Sequence, residues 1–348
     1  MRVVYIGERI KHHAACSGYD QLRKFIRSRD LSAMPHRALS GILKTLPSPV
    51  IAPLLDTPPY AWYWRPQQLA REFQAMACLP FEGAVYHWLY GENDFRWAGR
   101  FPRHKNSRVV VSLHQPPEVF KSIFHSSKSL RMADAVIACA SSQRDFLQDI
   151  LGDRKVQLIP HGVDTNYFMP APETTEHKSR FTVLMVGAWL RDFPLLAKVI
   201  KRAAKQNTGI GFNLVLPRDE ARQFDRLPDT RVFSNLPDID LLEQYQSANA
   251  LFMPVHDFTA SNALLEGMAC GLPVVASDVG GVRDYCDSSG SLLIPPKNMD
   301  RALDALMALK ENPDQCASMA KATRQKTLEF DWKKIAKTMK EVYKGLYA

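Results

Sequence analysis

The stretch from Leu251 to Cys286, LFMPVHDFTASNALLEGMACGLPVVASDVGGVRDYC, limits what this chain can fold into more than any other. Ala250 to Val255 is an unbroken apolar run of strand length, and the polar break His256 to Asn262 leads into a helical segment, Ala263 to Cys270, that Gly271 terminates. Pro273 to Ala276 is a second short apolar run. Ser277, Asp278, Val279, Gly280 and Gly281 then place flexible backbone at its carboxyl end before another helix from Val282. Short apolar strands joined by a helix are predicted to be buried on both faces, as in a parallel sheet.

The ends of such a unit have a chemical use. Ser261 and Asn262 are good helix caps, so the amides of Asn262, Ala263, Leu264 and Leu265 are expected to point out of the helix start, where the dipole favours a diphosphate. Glu266 lies one turn further in. At the mouth of a strand-end crevice its carboxylate could accept hydrogen bonds from ribose or sugar hydroxyls, while Gly280 and Gly281 let backbone approach a ligand.

This pattern resembles the signature of glycosyltransferase family 4, retaining enzymes of the GT-B fold: Glu, seven residues, Glu, then Ala-Met-Ala-x-Gly-x-Pro-Val-Val-Ala. Glu266, Met268, Ala269, Gly271, Pro273, Val274, Val275 and Ala276 fit it. The position of the first glutamate, which in the family contacts the donor sugar, is held by Phe258, and Asp257 could substitute if the loop differs by one residue. An ordinary strand-helix-strand core without a ligand is the plain alternative. A second match is VQLIPHGVDTNYFMP, which resembles the segment joining the two domains of the family, Pro-Asn-Gly-Val-Asp-x-x-x-Phe-x-Pro. Pro160, Gly162, Val163, Asp164, Phe168 and Pro170 fit, with His161 in place of the commoner asparagine, and Pro170 to Lys178 is the expected linker.

The resemblance implies an α/β chain of GT-B fold, two Rossmann-like domains facing across a cleft, with a terminal helix crossing back to the first. The expected boundaries are 1–165 for an acceptor-side domain, 166–330 for a nucleotide-sugar-binding domain and 331–348 for the helix. It also assigns roles. After the strand Val3 to Ile6 and the loop Gly7 to Ser17, the residues Ser17, Gly18, Tyr19 and Asp20 hold the place of the family's glycine-containing loop, before a helix Gln21 to Ser28. Gly18 would then face the donor phosphates. The buried run Arg108 to Leu113 delivers His114 at its carboxyl end, matching the family's histidine near the reacting sugar. In the loop after Phe181 to Val186 the family shows an arginine and then a lysine gripping the diphosphate. This chain shows Arg191 alone, with Lys198 and Lys201 further along the helix. Arg191 would fork onto phosphate oxygens, with a surface ion pair to Asp192 as the alternative. Trp189 could flank the base or the sugar.

Elsewhere the chain reads more blandly. Apparent strands at Ala84 to Leu89, Ala135 to Ala140, Phe212 to Leu216, Arg231 to Phe233 and Leu292 to Pro296 alternate with helical segments. The aromatic stretch Pro58 to Pro66, PPYAWYWRP, suits packing or an acceptor groove. Asp238 and Asp240 spell DxD, but at the start of an amphipathic helix capping and the dipole explain them. His12, His13 and Cys16 lack a partner cluster, and the six cysteines form no CxxC pair, so no protein-bound metal and no cofactor are expected.

Residues 1–165 hold 22 Lys and Arg against 14 Asp and Glu, whereas residues 166–348 hold 23 against 22. A basic first half suits a phosphate-bearing acceptor or peripheral contact with an anionic membrane, unless the excess only confers solubility. No nucleic-acid motif accompanies it. The opening MRVVYIGERI lacks a signal peptide's apolar run and no stretch has the length of a spanning helix, so the expected location is cytoplasmic, or peripheral on the inner membrane face.

The implied reaction is transfer of a sugar from a nucleotide diphosphate sugar to a hydroxyl with retention, in glycan, lipopolysaccharide or exopolysaccharide biosynthesis, the acceptor being a glycan or a lipid-linked molecule. A catalytically silent GT-B binding subunit and a sugar-nucleotide epimerase or hydrolase of the same fold are the rivals.

Overall fold

The structure is a computed structural model that describes residues 1–10, 13–31, 66–124, 127–172 and 180–348, and the single positions 41, 45 and 47. His12, the aromatic stretch 58–65 and the linker positions 173–178 lie outside the described residues. The chain divides into two compact units. Met1–His13, Gly18–His161 and Trp332–Ala348 form the first, and Ala14–Ser17 with Gly162–Asp331 the second.

In the first unit six parallel strands, β1 (Val3–Ile6), β2 (Arg29–Asp30), β3 (Val85–Trp88), β4 (Arg108–Leu113), β5 (Ala135–Ala138) and β6 (Val156–Leu158), run in the order β2-β1-β3-β4-β5-β6. The chain leaves β1 towards one side and returns to β3 on the other, so a topological switch point lies between β1 and β3. β1, β3 and β5 are buried along their whole length, which is why they read as near-continuous apolar runs, broken only by His87 in β3. The expected helix Gln21 to Ser28 is shorter than its pattern. A 3-10 turn at Tyr19–Gln21 and one helical turn, Leu22–Phe25, give way at Ile26 to extended backbone that leads into β2. The amphipathic terminal helix Trp332–Gly345 is part of this unit, burying Trp332, Ile335, Ala336, Met339 and Tyr343.

The second unit repeats the theme with β7 (Thr182–Val186), β8 (Gly211–Val215), β9 (Thr230–Phe233), β10 (Ala250–Met253), β11 (Val274–Ser277) and β12 (Ser291–Ile294). Their order is β12-β11-β10-β7-β8-β9, all parallel, with the switch point between β7 and β10. Side chains alternate between two cores. Leu184, Val186, Leu251, Met253, Val274 and Ala276 face the helix Asn262–Ala269, which contributes Leu264, Leu265 and Met268. Val183, Met185, Ala250, Phe252 and Val275 face the opposite core, with Leu195, Val199, Leu303 and Leu306 from the helices Phe193–Lys205 and Met299–Glu311. With both faces covered, the buried positions of β7, β10 and β11 are apolar except Ser277. All six cysteines are free thiols. Among the described residues no helix is long and apolar enough to cross a membrane.

Candidate active site

In the second unit the predicted residues gather at the switch point. After β7 the backbone turns back through Gly187 and Leu190, both in the left-handed region at φ 86° and 57°. That turn brings Arg191 against the segment after β10. Arg191 pairs with Val255 in an antiparallel bridge, Asp192 N donates to Pro254 O at 2.8 Å and His256 N donates to Leu190 O at 2.9 Å. Two loops far apart in sequence are thereby stitched together.

The Arg191 guanidinium is held on three of its nitrogens. Nε and Nη2 donate to the Val186 carbonyl at 3.2 and 2.9 Å, Nη1 to the Trp189 carbonyl at 3.1 Å, and Nη2 also to Ser261 Oγ at 3.4 Å. Burial draws its pKa down to about 10, with Tyr245 acting against the fall, so it is a cation at neutral pH. Among the described residues no carboxylate pairs with it. Asp192 instead caps the helix Phe193–Lys205 by accepting from Leu195 N at 2.9 Å, which removes the ion pair weighed from the sequence. Trp189 is 39% exposed beside this turn.

Ser261, in extended backbone, caps the helix Asn262–Ala269, one residue earlier than its pattern indicates. Its hydroxyl accepts from Leu264 N at 3.4 Å and its carbonyl from Leu265 N at 3.1 Å. Of the four amides expected to project, those of Leu264 and Leu265 are thus used within the cap. Asn262 and Ala263 supply the open donors, next to Arg191 through Ser261.

Glu266 is buried at 4% exposure, with one carboxylate oxygen accepting from Ser17 Oγ and the other from Tyr245 OH at 2.7 Å. Burial raises its pKa, while the two hydroxyls favour the carboxylate and Asp238 opposes it. Each oxygen keeps a second lone pair, so the group can still accept from a further hydroxyl. Ser17 comes from the four-residue segment Ala14–Ser17 of this unit, where Ala15 N also donates to Asp238 Oδ2 at 2.6 Å. Asp238 is in the first turn of the helix Asp238–Ser247. Among the described residues no group of three His, Cys, Asp or Glu side chains is arranged to hold a metal ion.

Phe258, where the resembled family has its first glutamate, is 3% exposed and packs its ring 5.9 Å from that of Tyr285. Asp257 beside it turns its carboxylate onto the Phe258 amide at 2.7 Å. Gly280 backs this loop at φ +52°, where an added Cβ would lie 2.2 Å from the Phe258 carbonyl oxygen. No other residue type fits there.

The first unit carries Gly18 and His114. Gly18 has φ +97°, and an added Cβ would stand 2.7 Å from His13 Nδ1 and 2.8 Å from Asp20 Oδ1. Next to it Tyr19 N donates to Tyr90 OH at 2.9 Å. His114 follows β4 and sits among rings, with the Tyr19 centroid at 4.7 Å, Tyr90 at 4.9 Å and His161 at 6.1 Å. Its Nδ1 lies 3.4 Å from Glu92 Oε1. Sequence reasoning missed Glu92, Tyr90 and Tyr245 as members of these groups. Nothing local in the sequence marks the Tyr245 phenol as a partner of Glu266.

Comparison with known proteins agrees with this architecture. Residues 217–326 match the family model described as Glycosyl transferases group 1. The D-inositol 3-phosphate glycosyltransferase of Kineococcus radiotolerans is 24% identical over 305 residues, covering 74% of this chain and 70% of the relative. The glycogen synthase of Mycobacterium tuberculosis is 24% identical over 227 residues, covering 62% of this chain and 55% of the relative. In fold the chain is similar to Anabaena HepE, solved in complex with UDP-glucose, with a TM-score of 0.69 at 16% identity, over 99% of this chain and all of that one (100%). With two doubly wound parallel sheets the chain has the GT-B fold, and the segment 217–326 of its second unit is similar to the group 1 glycosyltransferases.

Proposed function

We propose that the chain transfers a sugar from a nucleotide diphosphate sugar to a hydroxyl of a glycan or lipid-linked acceptor, with retention of configuration, as in glycosyltransferase family 4. The observation that carries this reading is the junction of Arg191, Ser261 and the open amides of Asn262 and Ala263 at the β7/β10 switch point. A fixed cation and a helix start with two unused donors form a receptor for a diphosphate. The complex of Anabaena HepE with UDP-glucose, a protein of similar fold, supports a nucleotide-sugar donor. The segment 166–330 is then the donor side and 1–165 the acceptor side, which can include peripheral contact with an anionic membrane.

In the reaction, the bond between C1 of the sugar and the phosphate oxygen breaks with its electron pair leaving on the diphosphate. The acceptor oxygen bonds to C1 on the same face, and its proton passes to the departing phosphate. Arg191 and the two amides stabilise the charge that collects on that phosphate, Glu266 holds a ribose or donor hydroxyl, and His114 positions the sugar. Gly18 keeps backbone close to the phosphates, and Asp257 and Trp189 border the sugar. This scheme uses no protein-bound metal and no cofactor.

Thermal stabilisation by a panel of nucleotide diphosphates and their sugars tests the donor site, with Arg191→Ala and Glu266→Ala alongside. A shift selective for one nucleotide sugar and lost in both variants is expected. No shift with any of them overturns the assignment. The core-packed Phe258 favours one other reading, a silent binding subunit, which donor binding without turnover across many acceptors would establish.

A further inference from the structure

Glu92 lies in the helical turn Gly91–Asp94 that follows β3, and His114 is the first residue after the neighbouring strand β4. Glu92 Oε1 accepts the backbone N–H of His114 at 3.2 Å and stands 3.4 Å from its Nδ1. One carboxylate oxygen therefore accepts the backbone N–H and lies within ion-pair distance of the ring of the same residue. The side chains are 3% and 12% exposed, so solvent screens their attraction little. The register Leu113↔Ala138 sets Cys139 beside His114 on the next strand, and its sulfur acts on the same ring. Tyr19 and Tyr90 pack against the imidazole with ring centroids at 4.7 and 4.9 Å. His161 and the buried His87 complete the titratable groups that face it among the described residues.

We propose that Glu92 is a positioning residue for His114: its carboxylate fixes the orientation and the positive charge of the imidazole, which then serves the transfer as a permanent cation rather than as a proton shuttle. Burial works against charge on His114, but Cys139 and Glu92 outweigh it and hold the pKa up to about 10. His87, in contrast, has only the hydroxyls of Tyr343 and Ser112 on its ring nitrogens, and burial drives it down to about 3. Two buried histidines of one sheet are thus set in opposite states, His114 by Cys139 and Glu92 beside it and His87 by burial without them. The inference rests on the proposed transfer in one respect. The charge of His114 has a catalytic use if the chain carries out that transfer.

The test is an imidazole NMR titration of the whole protein between about pH 5.5 and 8.5, a window centred on ordinary histidine behaviour, with His114 assigned by its loss in His114→Gln. Wild-type His114 is expected to stay in its charged form throughout. Glu92→Gln should bring its inflection into the window, with the charged fraction falling by up to about tenfold per pH unit beyond it. Glu92→Asp should retain part of the hold, and it serves as the readout if Glu92→Gln does not fold. An unchanged His114 titration in the folded variants, or a wild-type His114 already neutral at pH 7, overturns the proposal. With transfer assayed in parallel, kcat/KM of Glu92→Gln should fall as pH rises while nucleotide Kd stays constant. Absence of transfer by the wild type would fail the functional reading alone and leave the NMR comparison intact.

Discussion

Arg191 Nη2 reaches Ser261 Oγ at 3.4 Å across a sequence separation of 70 residues, and that contact closes the β7/β10 switch point. The same nitrogen donates to the Val186 carbonyl at the end of β7, so the guanidinium is oriented by the strand it follows and by the cap of the helix it meets. A phosphate at this point would find the cation already placed, with no side-chain ordering left to do.

Arg191→Ala should therefore act on both binding and stability. It removes the cation and leaves the Val186 carbonyl without these donors, a cost of about 1–3 kcal/mol. Arg191→Lys should keep the charge yet lose most of the binding, because an ammonium cannot hold two carbonyls and a hydroxyl in one plane. Calorimetric titration with nucleoside diphosphates, beside urea unfolding, checks both. Undiminished affinity in Arg191→Lys would show that the fork geometry is unimportant.

Tyr245→Phe isolates one hydrogen bond. The phenol donates to Glu266 at 2.7 Å, and its removal leaves a buried carboxylate oxygen without that donor, destabilising the fold by about 1–3 kcal/mol. Losing a hydroxyl that favours the charged form should also raise the already elevated Glu266 pKa further. Urea midpoints at pH 5 and pH 8 distinguish the outcomes. The deficit should grow as pH rises, because the lost hydroxyl favours the charged form of Glu266, and an equal deficit at both would refute the electrostatic account.

The second unit was legible where the signal is local. Its strands are apolar runs because both faces are covered, Ser261 caps where a capping residue should, and Gly271 ends the helix region at φ +77°. Legibility stopped at relationships made by the fold. Ser17 meets Glu266 from 249 residues away, and β2 is two polar residues, Arg29–Asp30, with nothing apolar to announce a strand. The helix pattern of Gln21 to Ser28 was overridden in the same region, since the chain must extend after Phe25 to pair with β1. Glu92 was invisible for a similar reason, being one acid in a short turn until β4 brings His114 to it.

His87 predicts a pH dependence of stability. Its folded pKa lies near 3, through burial first and the neighbouring His114 second, against an ordinary 6.5. The unfolded chain therefore binds the proton more readily. Stability from this residue is complete above about pH 6.5 and is lost as pH falls towards 3, with a slope of at most about 1.4 kcal/mol per pH unit. His87→Gln, which can still bond the hydroxyls of Ser112 and Tyr343, should unfold in urea with a flatter pH profile between pH 6.5 and 4.5. Parallel profiles for the two proteins would remove His87 as the source.

Phe258→Glu tests whether the departure at this position is a defect awaiting repair or part of the packing. The ring is 3% exposed in the core that contains Tyr285, Val282 and Leu264, and Gly280 presses its backbone onto the Phe258 carbonyl. A glutamate aimed the same way would be an unpaired charge in apolar surroundings, so it must either protonate or turn outward and leave a cavity. Loss of a buried phenylalanine ring costs about 3–5 kcal/mol. The variant is therefore expected to be strongly destabilised and to gain no affinity for nucleotide sugars. Phe258→Leu, which keeps the pocket apolar, should lose less stability and leave binding unchanged. A stable Phe258→Glu that binds a nucleotide sugar more tightly than the wild type would mean that the loop can rotate this side chain out of the core, and that the family's sugar contact is recoverable in this chain.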